Sequence, residues 1–180
     1  MRSPGVLLIG LASLCFAASE PVVSLASLKS VESSIKDRLE SNVGDPYDLL
    51  GGPRGTYLEG YGAVFTVHLN LVLLPALRVS PFNPNSGKEI TGLHDHKARK
   101  VEELKATMRE LMTGASRSLP GLPPRERIVM EAFLFDYSWE QTRGLPHRVM
   151  LTAFKQQLLD AAGRHAGPGE MAALFTEDEL

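Results

Sequence analysis

Two rhythms of hydrophobic positions run along the chain. Over 28–41, Leu28, Val31, Ile35 and Leu39 recur three and four residues apart, which draws one apolar stripe on a helix. Ser27 is the N-cap such a helix needs and Asn42 and Gly44 are its stop signals, while Glu32, Lys36, Asp37 and Glu40 fall on the opposite, solvated side. The same spacing returns at Val101, Leu104, Met108, Leu111 and Ala115 and predicts a helix over 94–117. Its solvated faces hold Lys97, Arg99, Lys100, Glu102, Glu103, Lys105, Arg109 and Glu110, with Arg99 and Glu103 spaced as an ion pair.

Elsewhere the period drops to two. The run 56–74 places Tyr57, Tyr61, Ala63, Phe65, Val67, Leu69 and Leu71 on one face, and Gly60, Gly62, Thr66, His68 and Asn70 on the other. It is too long for one ordinary strand, which leaves one long bent strand or, in preference, a hairpin turning near Gly60-Tyr61-Gly62. A second strand over 127–137 is apolar on both sides, Val129, Phe133, Phe135 and Tyr137 against Ile128, Met130, Ala132 and Leu134, as a strand covered on two faces would be. A third, 148–154, lies close enough to pair antiparallel with it, and a helix over 155–162 ends at Gly163. Glycine and proline mark loops at 45–55, 75–92, 114–124 and 138–146. These elements predict an α+β domain with a small mixed or antiparallel sheet of three or four strands, packed with two or three helices.

The first nineteen residues follow neither rhythm. Arg2 precedes an uncharged apolar run over 5–17, and the small residues Ala17, Ala18 and Ser19 follow, the three-part pattern of a secretory signal peptide. That run is short of the roughly 20 residues a membrane-spanning helix needs. The expected organisation is a signal peptide at 1–19, a tether at 20–27 and a single domain at 28–180 with an acidic tail at 176–180. The expected location is the bacterial periplasm or the extracellular space. Cys15 is the chain's only cysteine and leaves with the leader, so the remainder has no means of forming a disulfide or a thiolate metal site. Leu14 ahead of it does not suit lipidation. The ending Glu177-Asp178-Glu179-Leu180 carries Glu where an endoplasmic-reticulum retention signal has Lys or His, and reads as a solvated acidic tail. The longest later apolar run, 64–77, is interrupted by His68, Asn70 and Pro75, so no transmembrane span is expected once the signal is cleaved.

Composition adds little to this picture. The chain is 43% hydrophobic and 22% charged, with 19 Lys and Arg against 21 Asp and Glu, so nothing in its charge calls for nucleic acid as a partner. Candidate chemistry is sparse. His94-Asp95-His96 offers two imidazoles for a metal, zinc in the first place, with His147, His68 or an unidentified carboxylate as the third ligand. On a helix, however, positions 94 and 96 diverge by about 200°, and Asp95 suits the helix opening as a cap. His68, between Thr66 and Asn70, is a candidate general base. Asp136 is a candidate catalytic carboxylate with Glu131 and Glu140 near it in sequence, but their spacing gives no common face and surface charge is the simpler account. Trp139, the one tryptophan, and Arg143 share a loop and form a candidate contact for a sugar, a peptide or a protein, unless Trp139 folds back onto the core. No dinucleotide loop, phosphate-binding loop or nucleophile elbow occurs, and no cofactor-binding residues are expected. The sequence predicts an exported binding or scaffold protein without catalysis, its ligand an unknown protein or small molecule. Two alternatives are a metal-dependent hydrolase built on His94 and His96, and an envelope assembly subunit that docks through the 28–41 stripe.

Overall fold

A computed structural model of the chain describes residues 23–41, 45–72 and 87–180. The leader with Cys15, the stop signals Asn42 and Gly44, and most of the 75–92 loop lie outside those residues. Helix α1 spans Leu25–Glu40, with Ser24 as its N-cap accepting from the Ser27 amide at 3.1 Å. It therefore starts three residues ahead of the expected position, because Ser24 and not Ser27 closes its first turn. Strands β1 (Asp48–Leu49), β2 (Arg54–Leu58) and β3 (Gly62–Asn70) follow, then helix α2 (Gly87–Ser118), strands β4 (Arg127–Leu134) and β5 (Arg148–Phe154), helices α3 (Lys155–Gly163) and α4 (Pro168–Ala172), and strand β6 (Thr176–Glu179).

The six strands form one mixed sheet in the order β1-β3-β4-β5-β6, with β2 also pairing β3, so the sheet is larger than the three or four strands expected. The 56–74 run turns at residues 59–61, and β2 and β3 pair antiparallel from Leu58↔Gly62 to Arg54↔Thr66. Strands β3 and β4 run parallel with α2 between them in the chain, and β4–β5 and β5–β6 are antiparallel. Gly62 makes the parallel pairing possible. Its φ is +146°, and a Cβ there would stand 2.0 Å from the Arg127 carbonyl oxygen.

The alternation read from the sequence sets the layers. Ala63, Phe65, Val67 and Leu69 from β3, Ile128, Met130 and Ala132 from β4, and Val149 and Leu151 from β5 are nearly inaccessible and join one core with the stripes of α1 and α2. Each fully buried aliphatic side chain contributes about 1.5–3 kcal/mol before ordering costs, so this layer holds the fold. The other face of the sheet carries Val64, Thr66, His68, Glu131, Phe133 and Met150, all half-buried or exposed. The expectation that β4 is covered on both faces is thus corrected. Val129 is buried, but Phe133 is only half-buried and Phe135 is exposed. Among the described residues, no helix is long and apolar enough to cross a membrane.

The charged positions of α2 depart most from the pattern. Lys97, Lys100 and Lys105, which the periodicity turns to water, are buried, and each reaches a segment distant in sequence. Lys97 holds the β4–β5 loop, Lys100 holds the Asp45 carbonyl oxygen at 2.6 Å, and Lys105 holds the last strand through Glu177 and Glu179. Lys100 also lies 4.0 Å above the Tyr47 ring, whose hydroxyl is pushed up to about 12, chiefly by burial. Arg99 turns to His96, and Glu103 pairs with Lys100, so the expected Arg99–Glu103 pair is not made. Glu32 is likewise buried and accepts the Gly55 amide of β2 at 2.8 Å. The expected acidic tail is strand β6, with Glu177 and Glu179 under α2. Lys155 holds the turn that follows α2, its ammonium donating to the carbonyls of Leu119 (2.8 Å) and Leu122 (2.6 Å).

Candidate functional site

Parallel strands leave a crevice beyond their carboxyl ends, the usual place for ligands in open α/β sheets. Here that end of β3 and β4 is faced by the first half of α2 and by the β4–β5 loop, residues 135–147. Helix α2 begins at Gly87, so residues 94–96 lie in its second and third turns and do not open it; Asp95 is no cap.

Lys97 organises the loop. Its side chain is 1% exposed, and its ammonium donates to the Phe135 carbonyl oxygen at 3.1 Å, to Asp136 Oδ1 at 2.9 Å and to Glu140 Oε2. Three donors meet three acceptors, the full capacity of a lysine. Glu140, itself 2% exposed, accepts the Tyr137 amide through its other oxygen at 3.3 Å. Asp136 Oδ2 accepts from His147 Nδ1 at 3.0 Å and ties the end of the loop to its beginning. His94 Nε2 donates to the Arg143 carbonyl oxygen at 3.1 Å, which pins the loop's middle to α2. Asp136 and Glu140 are therefore internal counter-charges of one buried lysine, and the surface-charge account of them is corrected. Glu131 stands apart and pairs with Arg148 at 3.3 Å.

The candidate metal ligands do not share a centre. His94 meets the loop, His96 donates to Asp45 Oδ2 at 2.9 Å, and His147 meets Asp136. Among the described residues, no three His, Cys, Asp or Glu side chains are grouped so that they could hold a metal ion. His68 stacks flat on Phe133, ring centroids 4.8 Å apart and planes 13° apart. The imidazole of His147 is the one sequence candidate with the geometry of a base. Its Nδ1–H is fixed on a carboxylate, and the ring is 63% exposed.

What the pinned loop presents is aromatic. Phe135 meets Tyr137 edge to face at 5.0 Å, and Tyr137 stacks on Trp139 at 5.5 Å and 14°. Trp139 also packs against the core and Arg143 is exposed, so the two candidate contact residues take different environments. The His68–Phe133 pair on the open face of the sheet and the Phe135–Tyr137–Trp139 triad on the loop are adjacent in the chain, since Phe133 lies two residues before Phe135. Phe135 is 41% exposed within this line. Sequence reasoning found Trp139 but missed the line, although Phe133, Phe135, Tyr137 and Trp139 alternate along the chain. Lys97 was missed because its partners lie far from it in sequence, at positions 136 and 140.

Compared with protein-family models, curated proteins and solved structures, the chain matches none.

Proposed function

We propose that this protein is an exported binding module that takes its ligand along the line of rings from His68 to Trp139, without catalysis of its own. The observation that carries the reading is the set of ring contacts, His68 on Phe133, Phe135 on Tyr137 and Tyr137 on Trp139, the last three on a loop tied to α2 by Lys97. Aromatic side chains offer large contact area at low entropic cost, and a preorganised loop keeps that cost low. Lys97 is engaged with Asp136 and Glu140 and His96 with Asp45, while His94 holds a loop carbonyl. Ligands that lie flat on such a line are sugar chains and extended peptides rich in proline or aromatic residues. Export rests on the leader pattern of residues 1–19. The dispersal of His94, His96 and His147 counts against the metal-dependent hydrolase.

Trp139 is the chain's only tryptophan and its fluorescence reads the site directly. Titration with soluble oligosaccharides and with proline-rich peptides should give saturable quenching or a spectral shift with one of the two, lost in Phe135→Ala. Stoichiometric zinc in the purified protein, removed by His94→Ala, would instead favour the hydrolase.

A further inference from the structure

A cleft lies among the helices, toward the C-terminal end of α2. The second half of α2 and the α3–α4 connection enclose a cleft of about 510 Å³, within the range of small-molecule pockets. Its walls are small or apolar: Ala106, Gly114, Ala166, Pro168, Met171 and Ala172. Gly114 leaves it open, since a Cβ at that position would meet nothing within 4 Å. Two arginines also line it, Arg109 and Arg117, eight residues apart on α2.

Neither arginine is fully used by the fold. Arg109 donates from Nη2 to Glu177 at 2.8 Å, but its Nε is buried with no acceptor. Arg117 is exposed in the last turn of α2 and has no carboxylate partner among the described residues. Glu110 also lines the cleft, but it is paired with Arg38 at 3.0 Å. Thr113 turns its hydroxyl to the Arg109 carbonyl at 2.8 Å and so offers the cleft no competing donor. The local balance is an apolar trough with a cationic rim.

We infer that this cleft binds a small amphipathic anion: a carboxylate with an apolar body, of the medium-chain fatty-acid type, lying in the trough with its head between Arg109 and Arg117. The site shares no residue with the line of rings, so it goes beyond the binding function proposed above and either can fail without the other.

Calorimetric titration of the full chain with decanoate below its micelle concentration tests the inference. Decanoate should bind saturably at one site, and decanol, with the same apolar body and no charge, should bind at least tenfold more weakly, since hydrogen bonds to charged groups contribute roughly 1.5–3 kcal/mol. Arg117→Gln should weaken decanoate by roughly tenfold or more. Gly114→Leu should abolish binding by filling the trough, and because it places a helix-favouring side chain in open space its melting temperature should equal or exceed the parent's. An unaltered response in Phe135→Ala separates this site from the aromatic one. Absence of saturable decanoate binding, equal binding of decanol, or binding untouched by both Arg117→Gln and Gly114→Leu would overturn the inference.

Discussion

Replacing Lys97 by methionine removes the ammonium but keeps the length of the side chain. Three acceptors then lose their donor: the Phe135 carbonyl, Asp136 at 14% exposure and Glu140 at 2%. Breaking a buried ion pair by deleting one partner costs about 3–5 kcal/mol, because the remaining charge is left unpaired away from water. For a chain of this size each kcal/mol moves the melting temperature by about 2–4 °C, so Lys97→Met should melt roughly 6–20 °C lower. The damage should begin in the loop. Urea unfolding followed by Trp139 fluorescence should then precede the transition seen by far-ultraviolet circular dichroism, whereas the two coincide in the parent. A second substitution gives the sharper test. Lys97→Met with Glu140→Leu replaces the more buried pair by apolar groups, and such replacements are often neutral. The double variant should therefore be more stable than Lys97→Met alone, with a coupling energy of about 1–3 kcal/mol between the two positions. A Lys97→Met protein within about 1 kcal/mol of the parent, or strictly additive effects, would refute the claim that this lysine holds the loop.

The clamp on β6 should fail at both ends of the pH scale. Burial alone would raise the Glu177 carboxyl, but Lys105 and Arg109 outweigh it and hold it below its ordinary value; burial alone would lower the Lys105 ammonium, but Glu102, Glu177 and Glu179 hold it well above its own. The carboxylate's share of stability is complete above about pH 5 and is lost as acid reaches its lowered pKa; the ammonium's share is complete below about pH 10 and is lost in stronger alkali. Amide exchange of residues 176–179, corrected for intrinsic rates, should show protection at neutral pH that falls away in acid, below the ordinary carboxylate range, while β3 and β4 stay protected. Gly62→Ala should destabilise by several kcal/mol, on the order of 3 or more, because its Cβ would collide with the Arg127 carbonyl at a positive φ. Gly114→Ala, in open space on a helix, should stabilise by about 0.5–1 kcal/mol, and thermal melts of the two variants should move in opposite directions.

The sheet was legible in the sequence wherever burial and periodicity coincide. Ala63, Phe65, Val67 and Leu69 alternate because one face of β3 meets the helices, and Gly60 with Gly62 marked the turn before it. Strand β6 was not legible, because Thr176-Glu177-Asp178-Glu179 has no apolar alternation; it pairs with β5 while Lys105 and Arg109 hold its carboxylates. The start of α2 was hidden for a related reason: Gly87 and Gly92 read as loop, yet the helix runs through both. Lys97, Lys100 and Lys105 were assigned to water because a helical pattern carries no record of Asp136, Asp45 or Glu177, the distant groups that make their burial tolerable. The site followed the same division. Its aromatic members alternate in one stretch and could be read there, whereas the ionic frame that fixes them arises only when the chain folds.

The central claim is that the line of rings on the β4–β5 loop is a binding surface. An array of defined oligosaccharides and proline-rich or aromatic peptides, probed with the purified parent and with Phe135→Ala, tests it most directly. The account predicts a family of related ligands bound by the parent and lost in the variant, with the variant's melting temperature little changed because Phe135 is already 41% exposed. No bound ligand, or ligands retained in full by Phe135→Ala, would contradict it.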